Sequence, residues 1–75
     1  MTPEQVEEKI RAVLPDARVQ VSGEECNFTV EVESAAFAGK SPLQRHRMVN
    51  DIFRNELTSG ALHALSIKTR VPSDG

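Results

Sequence analysis

Two runs of alternating apolar and polar residues, lying almost end to end, constrain this chain more than any other feature. Val19 and Val21 alternate with Arg18, Gln20 and Ser22, and Phe28, Val30 and Val32 alternate with Thr29, Glu31 and Glu33. A period of two puts the apolar set of each run on one face of a strand. The segment between them, Ser22-Gly23-Glu24-Glu25-Cys26-Asn27, is polar, carries one glycine and is too short for a crossover. It therefore reads as the loop of an antiparallel hairpin, with Cys26 near its far end, where a thiol can be reached. An all-parallel α/β fold is excluded by that hairpin.

Helices flank it. Thr2, Pro3 and Gln5 supply an N-cap hydroxyl, a proline at the first helical position and the glutamine of a capping box. Val6, Ile10, Val13 and Leu14 then make one apolar stripe that ends at Pro15. After the hairpin a short helical turn is expected over residues 35–38, stopped by Gly39. Ser41, Pro42 and Gln44 repeat the first helix start, and Leu43, Val49, Ile52, Phe53 and Leu57 form a helical face through about residue 58, closed by Ser59-Gly60. A last strand is predicted over residues 62–68, with His63, Leu65 and Ile67 on one side. The order helix, strand, strand, short helix, long helix, strand gives an α+β fold: one domain over residues 1–75, with a three-stranded mixed sheet and helices on one face.

Seventy-five residues leave room for one small core and little surplus stability. A large buried active site is not expected. No apolar run is long enough to cross a bilayer, so no membrane association is expected. Glu4, Glu7 and Glu8 near the N-terminus suit neither a secretory signal nor a mitochondrial presequence. One cysteine cannot make an internal disulfide, and a reducing compartment, cytosol or nucleus, is the expectation. The net charge of −2 conceals an asymmetry: residues 1–37 hold eight acids against three bases, −5, and residues 38–75 hold six bases against three acids, +3. Such a division marks either a face for an acidic partner or a solvated helix surface.

The stretch from Val32 to Val49 contains Ser34, Phe37, Gly39 and the triplet Arg45-His46-Arg47, and Glu56-Leu57 is followed by Leu62-His63-Ala64-Leu65-Ser66-Ile67-Lys68-Thr69. Together these resemble the BolA family over nearly the whole chain. The resemblance implies an αββααβ fold, similar to a class II KH domain but without its GxxG loop. No GxxG occurs in this sequence, and that loop is what clamps single-stranded nucleic acid in KH modules.

The resemblance also implies a function: a non-enzymatic partner of a monothiol glutaredoxin, sharing or delivering a 2Fe-2S cluster in iron–sulfur trafficking and iron regulation. Cys26 matches the family's ligand in the loop between the first two strands, and His63 matches its histidine ligand in the last strand. The glutaredoxin thiolate and the thiol of glutathione would complete the set, so the isolated chain, a monomer when alone, is expected to bind no cluster. Thiolate suits iron in a cluster, and a histidine in place of a thiolate raises its potential. The residues by themselves leave other readings open. Cys26 is compatible with a small packed hydrophobe, and His63 with a core histidine hydrogen-bonded to backbone. His46 fits a helix cap or a structural hydrogen bond better than a metal.

A second function class rests on Lys40, Arg45, Arg47 and Lys68. A basic helix after a short helix resembles a helix-turn-helix, and a DNA-binding regulator is the alternative reading. Against it stand the negative net charge and the lack of Trp or Tyr for stacking on bases. The same cations would equally meet carboxylates of a glutaredoxin or of glutathione. Enzymatic chemistry has the least support, since no paired-carboxylate spacing, phosphate loop or triad order is present.

Overall fold

The computed structural model describes residues 2–24 and 27–72. Its order is α1 (Pro3–Val13), β1 (Arg18–Glu24), β2 (Asn27–Glu33), a 3₁₀ turn (Ala35–Phe37), α2 (Pro42–Ile52), α3 (Arg54–Ser59) and β3 (Ala64–Arg70). The sheet order is β1-β2-β3, with β1 antiparallel and β3 parallel to β2. The α+β class and the mixed sheet are those expected from the sequence.

Both helix starts are built as their sequences dictate. The Thr2 hydroxyl accepts from the Gln5 amide while the Gln5 side chain accepts from the Thr2 amide, and Ser41 and Gln44 repeat the arrangement. Each box satisfies two of the donors that a helix start leaves without a partner. Gly39 and Gly60 take positive φ, 75° and 86°, where the chain leaves the 3₁₀ turn and α3. The core forms where Val6 and Ile10 of α1, Val49 of α2 and Phe53 meet Val19, Phe28, Val30 and Val32 of the sheet, and Phe37 and Leu62 are buried in the same cluster.

Four expectations need correction. The hairpin loop is shorter than its polarity suggested, because Ser22, Gly23, Glu24 and Asn27 all belong to the ladder, ending at the pair Glu24–Asn27. Ladder pairing uses backbone groups, which no side-chain pattern reports. The long helix breaks at Phe53, whose amide turns to the carbonyls of Asn50 and Asp51 (φ −108°, ψ 15°). The break leaves the Phe53 ring fully buried. Val13 and Leu43, counted as core-facing, are each 59% exposed. Periodicity records direction around a helix axis but not position along it, and these two sit at the last and second residues of their helices. Finally, β3 begins at Ala64 and runs to Arg70. Leu62 precedes it as a fully buried plug whose amide donates to the Glu56 carbonyl at 3.1 Å, and His63 lies exposed between plug and strand.

Candidate metal and partner site

The end of the sheet beside the hairpin gathers the residues of interest. Asn27 opens β2 and Ala64 opens β3, and these two are register partners in the parallel ladder. His63 immediately precedes Ala64 and is exposed. Cys26 lies outside the described residues; it immediately precedes Asn27 in the chain. Asn27 and Ala64, the chain neighbours of residues 26 and 63, thus share one end of the β2–β3 ladder, where paired strands lie about 4.8 Å apart. His63 is not a core histidine: the plug beside it, Leu62, takes the buried position instead. Among the described residues, no group of three or more His, Cys, Asp or Glu side chains is arranged to hold a metal ion.

The four basic candidates do not form one surface. Lys40, Arg45 and Arg47 sit around the start of α2, but Lys68 is on β3, where exposed and half-buried residues alternate. Leu65 and Ile67 pack toward the core, so Lys68 projects from the opposite, open face of the sheet. Arg45 is half-buried, and its Nε donates to the carbonyls of Phe37 (3.1 Å) and Lys40 (3.0 Å), tying the 3₁₀ turn to α2. That guanidinium has a structural task that its sequence neighbours did not reveal. His46 is exposed on α2, and the cap of that helix is Ser41.

Two polar junctions were not legible in the sequence. The carboxylate of Asp16 accepts from the buried Ser34 hydroxyl at 2.8 Å and from the Ala35 amide at 2.9 Å, while the Ser34 oxygen accepts from the Ala36 amide. The Ala35 N–H, then the Ser34 hydroxyl, hold the Asp16 carboxyl below the usual aspartate range. On the helical side, Lys9 of α1 meets Glu56 of α3 at 2.8 Å, with its ammonium 6.0 Å from the centre of the Phe53 ring. The hydrogen bond from Lys9 lowers the Glu56 carboxyl, against a smaller opposing effect of burial. An open groove of about 440 Å³ beside this pair is lined by Gln5, Glu8, Lys9, Ala12 and Glu56. It contains none of the ligand or basic candidates. Lys9 and Glu56 are 47 residues apart, too far for any local spacing rule to link them.

The family model described as BolA-like protein matches residues 6–74. The chain belongs to the BolA-like family. Mouse BolA-like protein 1 is 46% identical over 52 residues, covering 69% of this chain and 37% of that protein, so the BolA-like chain spans little more than a third of that relative's length. Among solved structures, BolA1 from Arabidopsis thaliana superimposes with a TM-score of 0.83 at 31% identity, covering 97% of this chain and 94% of that one. The BolA domain of SufE1 from the same plant gives 0.83 at 33% identity, again with 97% and 94% coverage. The BolA-like fold is therefore also found as one domain of another protein.

Proposed function

We propose that this BolA-like chain is a non-enzymatic partner of a monothiol glutaredoxin, and that Cys26 and His63 bind a 2Fe-2S cluster shared with the glutaredoxin and glutathione. The observation that carries the reading is the register pair Asn27–Ala64, whose chain neighbours are the two proposed ligands. His63 is exposed at that end, as a ligand shared across an interface must be. Thiolate and imidazole are both donors that iron in such clusters accepts. Two donors are too few for a cluster, so the partner's thiolate and glutathione are intrinsic to the proposal. The role would be storage or delivery of the cluster in a reducing compartment.

The test is a visible absorption and circular dichroism titration of the protein into a monothiol glutaredoxin loaded with a 2Fe-2S cluster and glutathione. Wild type should produce a new species at fixed stoichiometry, and Cys26→Ala and His63→Ala should each alter or abolish it. An unchanged glutaredoxin spectrum with no complex would defeat the proposal. The DNA-binding reading gains no support from the structure's division of the basic residues. Duplex binding whose affinity falls steeply with salt would nonetheless reopen it.

A further inference from the structure

We infer that the outer edge of β3 is a docking edge for an extended segment of a partner protein whose residues alternate between apolar and acidic. The sheet order gives β3 one neighbour, β2, and among the described residues no strand pairs its other side. Alternate N–H and C=O groups of a strand so placed point outward, ready to extend the ladder. The core-side residues of β3, Leu65 and Ile67, are only half-buried, whereas Phe28, Val30 and Val32 on the central strand are at most 4% exposed. Apolar surface is left at this edge for a neighbour to cover.

Charge on the other face specifies that neighbour. Ala64, Ser66, Lys68 and Arg70 are all exposed there, without an acid among them. The structure already contains one strand that complements this row. In β2, Val30 lies opposite Ile67, Glu31 opposite Lys68 and Glu33 opposite Arg70. Glu33 is 3.4 Å from Arg70 and 3.9 Å from Arg18 across β1, so one carboxylate is divided between two guanidinium groups. Lys68 has no ion-pair partner within 4.0 Å among the described residues. A second strand patterned like β2 would meet the remaining positive charge and cover Leu65 and Ile67 together.

A second copy of this chain does not fit the edge. Two β3 strands paired about a twofold axis would bring both copies of Lys68 and Arg70 onto one face, and the β1 edge presents Arg18, Gln20 and Ser22. Charged edges guard sheets against self-pairing; here the same charges select an acidic strand. This inference involves neither Cys26 nor His63 and does not depend on the cluster.

The test is titration of the ¹⁵N-labelled protein with a capped seven-residue peptide, Thr-Val-Glu-Val-Glu-Val-Thr, and with its counterpart carrying lysine for glutamate. Amide shifts should concentrate in β3, amide exchange there should slow, and the acidic peptide should bind about tenfold more tightly, from favourable against unfavourable cross-strand charge pairs. The double variant Lys68→Glu, Arg70→Glu should reverse the preference. Equal binding of the two peptides, no binding at millimolar concentration, or shifts confined to other elements would overturn the inference. So would dimerisation of the free protein with β3 amides already protected.

Discussion

Gly23→Ala is the substitution whose cost the structure separates most cleanly into parts. Gly23 sits in β1 opposite Phe28 with φ +107°, a conformation that costs an L-residue about 1–2 kcal/mol. A Cβ there would also collide with the carbonyl oxygen of Asn27 and approach the Phe28 Cα to 3.1 Å. Both are backbone atoms, so no rotamer change relieves the contact and the last ladder pairs must part. Losing one or two hydrogen bonds at about 1 kcal/mol each brings the total to about 3 kcal/mol. Gly39→Ala is the internal control: φ is +75°, but nothing lies within 4 Å of the added Cβ, and about 1 kcal/mol is expected. A domain of this size holds about 4–11 kcal/mol in all. The difference between the variants should separate their melting temperatures by about 10 °C. Urea and thermal unfolding followed by circular dichroism give both values. Variants that agree within about 0.5 kcal/mol would refute the close-approach argument. Because Gly23 lies at the same end of the sheet as His63, Gly23→Ala should also impair the cluster titration without altering a ligand.

Two further outcomes follow from the polar junction and the core. The folded Asp16 carboxyl titrates below its unfolded value, because the Ala35 amide and Ser34 hydroxyl donate to the anion. Its contribution is therefore complete above the unfolded pKa and is lost as pH falls through the depressed folded one, so Asp16→Asn should flatten the acid limb of stability against pH; superimposable limbs would refute this. Phe53 has no exposed surface, and Phe53→Ala should cost about 3–5 kcal/mol, a large share of the domain's total stability. Phe53→Leu should keep a cooperative transition, and a loss below about 1 kcal/mol for Phe53→Ala would mean the ring does not anchor the α2–α3 break.

Much of the fold was legible because its determinants are local. A capping box spans four residues, as Thr2 to Gln5 and Ser41 to Gln44 show, and a strand declares itself by alternation within six or seven. The two errors on helix faces, Val13 and Leu43, arose where local direction and global position part company. The candidate ligands were named through family resemblance, since one cysteine and one exposed histidine carry no spacing signal. The structure adds the register that ties their chain neighbours Asn27 and Ala64 together.

The sequence by itself determined the helix starts, the hairpin and the α+β class, because hydrogen bonds between near neighbours and the burial of periodic apolar faces specify them. Only the tertiary structure decided that Leu62 fills the core while His63 faces solvent, that Arg45 holds backbone carbonyls, and that Lys68 stands on the open face of the sheet, opposite the core-facing Leu65 and Ile67. Those outcomes depend on where separate elements meet, and the free energy of such contacts belongs to pairs of residues far apart in the chain, on which no local pattern reports.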